Sequence, residues 1–360
     1  AAPFHHGPRN QFTRMGSALQ TDDAVRMITG ATVTDFATDG IGSIVHIEAR
    51  SPGGASFRAS GRYFVIATGG IDNARLLLSS RPVQYLMGPG AHHVGRSFME
   101  HLHYVPAVLL TDSDEAAEEV RRICGDADRT DNWIVLNDET TRAENLLRVA
   151  YNATPVHRTS TEPAVPAFGD LVRMFPFGPF GIRGRARQAV QAMGGAHHIA
   201  RALKARLGND IPRGTFALSV MSEQIPDPES RITLTGRTDR VGLALPHLHW
   251  RVGLRDFADA RRSTELIAAD FERLGIGRVV SLWDRGRERP PVVAGGWHHM
   301  GTTRMSVDPG AGVVDGHGRV HGTDNLYVAG SSVFVTSGYA NPTLTLVALA
   351  VRLGRYLARI

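Results

Sequence analysis

The run Tyr63-Phe64-Val65-Ile66-Ala67-Thr68-Gly69-Gly70-Ile71-Asp72-Asn73-Ala74-Arg75-Leu76-Leu77-Leu78 decides how the chain is read. Tyr63 through Ala67 is a continuous apolar run, the pattern of a strand buried on both faces. Thr68-Gly69-Gly70 is a turn, and the spacing predicts a helix from about Asp72 through Leu78. A buried strand, a glycine turn and a helix start form a place where backbone N–H groups can face an anion. The same grammar returns near the other end of the chain. Asn325-Leu326-Tyr327-Val328-Ala329 reads as a strand and Gly330-Ser331-Ser332 as its turn. The predicted class is therefore α/β, with one unit assembled from both ends of the chain.

Working outward, residues 25–59 hold short runs with β-branched residues between Asp-Gly and Gly-Gly turns, an antiparallel meander. Residues 161–213 read as an excursion containing Phe175-Pro176-Phe177-Gly178-Pro179-Phe180, either a lid or a plug between domains. Phe216–Met221, Arg231–Thr235 and Leu248–Val252 read as strands. A helix is expected from about Phe257 to Leu274, with Asp256 as cap, Ile267, Phe271 and Leu274 on one face, and Gly275 at C′. A last helix starts at Asn341-Pro342, with Asn as N-cap and Pro at the first helical position. Its first turns are apolar nearly all round, so it is expected to be buried. The division that follows is a discontinuous nucleotide-binding part, residues 1–104 and 294–360, and a substrate part, residues 105–293, with an antiparallel sheet and helices on one side.

Composition bounds the function classes. At roughly 100–200 residues per domain, 360 residues leave room for two. The chain is 42% hydrophobic and 21% charged, which excludes disorder and collagen. No apolar run reaches the ~18 residues of a transmembrane segment. The lone cysteine, Cys124, excludes an intrachain disulfide framework and a CxxC metal site. His5-His6, His92-His93 and His197-His198 lack HExxH or cysteine companions, so no metal is expected. Ser331 and Ser332 lack a G-x-S-x-G elbow, which argues against a hydrolase. The net charge of +5 is carried by arginine, Lys204 being the only lysine, and most of it is interspersed with acids. No nucleic-acid partner is expected from that pattern. Arg183, Arg185, Arg187, Arg201, Lys204 and Arg206, with Ile199, Leu203 and Leu207 on one face, read as a solvated helix packed on the substrate part. A membrane surface or an electron-accepting partner is the alternative reading of that stretch. Ala1 opens the sequence without a visible leader, and cytoplasm is the default compartment.

The residues that carry chemistry lie in Gly295-Gly296-Trp297-His298-His299-Met300-Gly301-Thr302-Thr303-Arg304-Met305 and in Gly338-Tyr339-Ala340-Asn341-Pro342-Thr343-Leu344-Thr345. The first sets a histidine beside a glycine turn, where an imidazole can act as general base near neutrality. The second is a helix N-terminus with free N–H groups and partial positive charge, able to stabilise a developing anion.

These runs, with Gly95-Arg96-Ser97-Phe98-Met99-Glu100-His101 and Glu223-Gln224-Ile225-Pro226-Asp227-Pro228-Glu229-Ser230-Arg231-Ile232, resemble those of the glucose-methanol-choline (GMC) oxidoreductases, FAD-dependent enzymes. The likeness is strongest to bacterial pyranose- and glycoside-oxidase types. The resemblance implies an incomplete Rossmann-like FAD-binding domain beside the substrate domain. It implies FAD as cofactor and oxidation of a sugar, glycoside or polyol hydroxyl, with hydride passing to flavin N5. It selects His298 as the base, since Gly301 follows three residues later, and Asn341 as the group that orients the hydroxyl. It places the backbone near Val33 against the adenine, and Thr68, Gly69, Ala329 and Gly330 along the rest of FAD. Asn341, Pro342 and Thr343 would lie under the flavin, and His299 would line the substrate side. Dioxygen, a quinone or a cytochrome would reoxidise the flavin.

One departure stands out. The G-x-G-x-x-G fingerprint is missing, because Gly40-Ile41-Gly42-Ser43-Ile44-Val45 has Val45 at the third glycine position. The chain therefore reads as a fragment, or as one subunit whose partner chain supplies that unit. A non-catalytic chain supporting a flavin-binding partner, and a lyase on the same scaffold, remain alternatives.

Overall fold

A computed structural model describes residues 22–124, 132–156, 214–283 and 293–360, together with residues 16 and 19. The Phe175–Phe180 segment, the basic stretch from Arg183 to Arg206 and nearly all of the N-terminal stretch lie outside the described residues. Strands β1 (Thr32–Thr38), β2 (Ile44–Arg50) and β3 (Ser56–Ala59) form the expected antiparallel meander. Strand β4 (Phe64–Ile66) leads into helix α1 (Gly69–Ser79), and α2 (Arg81–Met87) follows. The two ends of the chain meet here, because β4 pairs in parallel with β13 (Leu326–Val328), Val65 opposite Tyr327.

The middle of the chain builds a larger antiparallel sheet. Its order is β11 (Gly277–Ser281), β5 (Leu102–Thr111), β8 (Thr215–Ser222), β7 (Val149–Pro155), β6 (Ile134–Val135), and the short β12 (Ala294–Gly295) also pairs with β5. Helices α3 (Asp114–Cys124) and α5 (Leu254–Arg273) cover one face of that sheet, with the short α4 (Asp138–Ala143) between them in sequence. Val120, Phe257, Ile267 and Phe271 from the helices pack on Tyr104, Tyr151, Phe216 and Leu218 from the strands. Each fully buried side chain of this kind contributes roughly 1.5–3 kcal/mol. A second cluster joins β4, α1 and β13 to the hairpin β9 (Arg231–Thr238)–β10 (Ala244–His249) through Ile232, Val241 and Leu243. Arg75 on α1 fastens that hairpin, donating to the carbonyls of Ala244 and Leu243 and to the Asp239 carboxylate at 2.7–3.1 Å.

Several local expectations change. β4 is covered on one side only, since Val65 is 45% exposed. Asp256 assists the α5 start from inside the first turn, where its carboxylate accepts from the Gly253 N–H at 2.7 Å. Leu274 points to solvent, while Gly275 at φ 66° closes the helix as expected. β10 ends at His249, short of the predicted Val252. The terminal helix α6 (Thr343–Leu357) begins at Pro342, whose dihedrals are already helical, but Asn341 does not cap it with its side chain. Nor is α6 buried. Its apolar residues run all round, but the described chain packs only on the side of Leu349 and Leu353, leaving Leu344 70% exposed and Val347 and Val351 49% exposed. Among the described residues, no helix is long and apolar enough to cross a membrane.

Leu353→Ala is therefore expected to cost about 2–4 kcal/mol, and Val347→Ser less than about 0.5 kcal/mol. Urea unfolding of the 360-residue chain measures both.

Candidate active site

Two segments 198 residues apart lie side by side and make the site. Gly95 donates to the Thr302 carbonyl, Met99 and Met300 exchange both backbone bonds at 3.0 Å, and Gly296 donates to the His101 carbonyl. The chain can approach this closely only where glycine leaves room. A Cβ on Gly301 would meet the Ser97 carbonyl, one on Gly295 would meet the Glu100 carboxylate, and one on Gly296 would meet the His103 ring. Gly70, at the start of α1, lies equally tight against the His299 backbone. The glycines read at first as turns are thus also contact points.

Glu100 is buried at the centre. Its Oε1 accepts from the N–H of His298 at 2.7 Å and of His101 at 3.0 Å, and its Oε2 lies 3.5 Å from His299 Nε2. Burial pushes its carboxyl up to about 7, opposed by the N–H groups of His298, His101, Gly296 and Trp297. The same carboxylate steadies Trp297, a bulky residue held at φ 62°. Gln224, fully buried, connects this centre to the larger sheet. Its oxygen accepts from the Glu100 N–H and from the Trp250 indole, both at 3.0 Å, while its amide donates to the Arg251 carbonyl.

His298 faces His101. Their Nδ1 atoms are 2.9 Å apart with the rings nearly perpendicular, and His101 Nε2 lies 3.3 Å from the Ser337 carbonyl. Burial pushes both rings down to about 4, the proximity of His101 and His299 adding to the effect on His298. Both are therefore neutral near pH 7. His298 Nε2 has no partner among the described residues. His103 stands behind them, buried, pushed down to about 3 by burial first and by both neighbouring rings. His299 turns its ring toward Glu100 and Phe98 instead, and burial lowers it too.

The glycine turns gather on one rim. Buried Asn73 accepts from the Thr68 N–H and hydroxyl, and its amide donates to the Ala329 carbonyl and the Ser332 hydroxyl. Thr68 and Gly69 therefore adjoin Ala329 and Gly330 beyond the ends of β4 and β13. Thr68 and Gly69 are exposed, Gly69 has φ 90° with open space where a Cβ would point, and Gly330 has φ 125°. Ser331 donates to the His299 carbonyl at 2.7 Å and so joins this rim to the histidine segment. An open glycine cradle at a helix N-terminus, beyond two parallel strands, suits an extended phosphate-bearing ligand. The Gly40–Gly42 turn does not, because Asp39 accepts the N–H groups of Ile41, Gly42 and Ser43.

Thr68, Gly69, Ala329, Gly330, His298 and His299 are thus brought together. Val33 stands apart in the meander, packed against the cluster that joins β4, α1 and β13 to the β9–β10 hairpin. Asn341 and Thr343 are exposed and Pro342 is buried at the start of α6, and the Asn341 side chain makes no hydrogen bond among the described residues. The segment that leads to Asn341 reaches the histidines through the Ser337 and Gly338 backbone at His101. Sequence reasoning gave no role to Glu100, His101, Asn73 or Gln224, although all four lie in runs that it singled out. The adjacent Glu-His pair was the available signal.

Residues 226–350 match the family model described as GMC oxidoreductase. It is 25% identical over 333 residues to the fructose dehydrogenase large subunit of Gluconobacter japonicus, covering 91% of this chain and 53% of that one. It is 38% identical over 123 residues to a C-glycoside 3-oxidase of Microbacterium trichothecenolyticum, covering 33% and 22%. The chain thus spans about half the length, or less, of these relatives. The fold is similar to that of pyridoxine 4-oxidase from Mesorbium loti, with a TM-score of 0.55 at 16% identity, over 95% of this chain and 60% of that one.

Glu100→Ala strands the buried N–H groups of His298 and His101, and each is expected to cost about 1–3 kcal/mol. Glu100→Gln keeps one oxygen acceptor and should cost less, by urea unfolding. The fold should also lose stability as pH drops from about 6.5 toward about 4, because the unfolded chain takes up protons that His101 and His298 refuse when folded. Glu100, raised in the fold, acts in the opposite direction, so Glu100→Gln should steepen that acid loss.

Proposed function

We propose that this chain is the catalytic part of an FAD-dependent oxidoreductase that oxidises a hydroxyl of a sugar, glycoside or polyol. The observation that carries the reading is neutral, partly exposed His298, with Nε2 unpartnered, beside an open glycine cradle. The relatives named for fructose and C-glycosides support the substrate class.

Residues 1–104 and 294–360 would bind the cofactor and residues 105–293 the substrate. Thr68, Gly69, Ala329 and Gly330 would lie along FAD, with the Val33 backbone at one end and Asn341, Pro342 and Thr343 at the other. FAD, when bound, supplies the acceptor for hydride. His298 Nε2 takes the hydroxyl proton, since its ring is neutral and open on that side. Asn341 cannot be a base at neutral pH, so its amide hydrogen-bonds and orients the hydroxyl. The N-terminus of α6 presents N–H donors and the positive end of the helix to the charge that develops. Preorganised donors of this kind are worth roughly 3–4 kcal/mol each. His299 lines the substrate side. The 360 residues contain no G-x-G-x-x-G, and in this reading that unit joins the cradle from elsewhere, on the same or a second chain. Dioxygen, a quinone or a cytochrome takes the electrons on.

His298→Ala is expected to slow anaerobic flavin bleaching by an alcohol about 10²–10⁴-fold in the assembled enzyme. An unchanged rate would remove His298 from the role of base. Asn341→Ala should slow bleaching as well; a change in stability alone would make it a structural residue. Because the His298 ring is held down to about 4, the rate should stay flat as pH falls through 6.5 and decline only toward about 4.

A further inference from the structure

We propose that His101 is a positioning residue that locks His298 in a single tautomer, with Nδ1 protonated and Nε2 bare. Its use in catalysis rests on the reading of His298 as base, but the tautomer itself follows from the bonding pattern.

A carbonyl oxygen can only accept a hydrogen bond. His101 Nε2 lies 3.3 Å from the Ser337 carbonyl, so that nitrogen carries a proton. The ring is neutral, since burial holds it down to about 4, and a neutral imidazole has only one N–H. His101 Nδ1 is therefore a bare acceptor. His298 Nδ1, 2.9 Å away, must be the donor. His298 is neutral as well, so its other nitrogen, Nε2, holds a lone pair and nothing else. The opposite arrangement would set the bare His101 Nε2 against the Ser337 carbonyl, two acceptors facing each other in a buried place, at a cost typical of an unpaired polar group.

The surroundings keep this direction of bonding. Ser337 is fixed by Gln224, whose N–H donates to the Ser337 hydroxyl at 3.0 Å. The His298 backbone is fixed by Glu100 at 2.7 Å. Gly296 leaves the space that lets the two rings meet, since a Cβ there would lie 3.1 Å from His298 Nδ1. His103 Nε2 is buried with no partner among the described residues and does not compete for either nitrogen. The chain from Ser337 through His101 to His298 orients without conducting. A carbonyl does not take a proton onward, so a proton accepted at His298 Nε2 stays there, with His101 Nδ1 supporting the imidazolium, until it leaves by the same side. Free histidine favours the Nε2–H form, so without His101 the reactive nitrogen would be the protonated one for much of the time.

The test is long-range ¹H–¹⁵N correlation NMR on the 360-residue chain with ¹⁵N-labelled histidine, at neutral pH, with signals assigned through His298→Ala and His101→Leu. Nδ1–H with bare Nε2 is expected at His298, and Nε2–H at His101. His101→Leu should shift His298 toward Nε2–H. His101→Asn, whose side-chain oxygen can accept near the lost Nδ1, should restore Nδ1–H. An Nε2–H signal at His298 in the unsubstituted chain overturns the proposal. So does an unchanged His298 tautomer in a folded His101→Leu variant. If His101→Leu does not fold, the unsubstituted chain and His101→Asn still decide. Loss of this tautomer leaves the bleaching experiment on His298→Ala untouched, so failure of the positioning role and failure of the base assignment are read separately.

Discussion

The Glu100 carboxylate is the constraint on which the rest of the site depends. It is buried between two chain segments distant in sequence and accepts backbone N–H groups from both. A carboxylate in such a place costs desolvation, which is why its proton affinity rises. The cost is offset because each bond it accepts satisfies an N–H that a tight turn could not pair within itself. Trp297 can then remain at a positive φ and His298 can leave the turn toward His101.

The same logic links the two cores. Gln224 ties Glu100 to Trp250, and Ser337 ties Gln224 to His101. Asn73 does for the glycine rim what Glu100 does for the histidines, holding the turn after β4 to the turn after β13. A neutral amide suffices on the rim because it bridges both donors and acceptors. The histidine centre receives only donors and therefore takes a carboxylate. The glycines at 70, 295, 296 and 301 complete the arrangement by permitting backbone contact that any side chain would prevent.

Much of this was legible in the sequence. The meander, the β4–turn–α1 unit, the β13 turn and the α5 helix with its C′ glycine all carry local signals, since alternation, capping residues and glycine positions act within a few residues. His298 was singled out over His299 only through the family resemblance, whose pattern has a glycine three residues on, at Gly301. The burial of β4 and α6 was misread because apolar content says that a face can be covered, not whether anything covers it. Leu344 and Val347 look like core residues in sequence and are exposed in this chain.

By itself the sequence determined which segments are strands, turns and helices, and which residue types stand ready for chemistry. The tertiary structure alone decided that Glu100 and His101 belong with His298, that Asn73 joins two turns, and that Ser337 rather than Asn341 bonds to the His101–His298 pair. The reason is physical. Turn and helix signals arise from short-range sterics and hydrogen bonding, whereas the direction of a hydrogen bond between two buried rings depends on what stands behind each of them. At His101 that partner is a carbonyl 236 residues away along the chain, which no local pattern encodes.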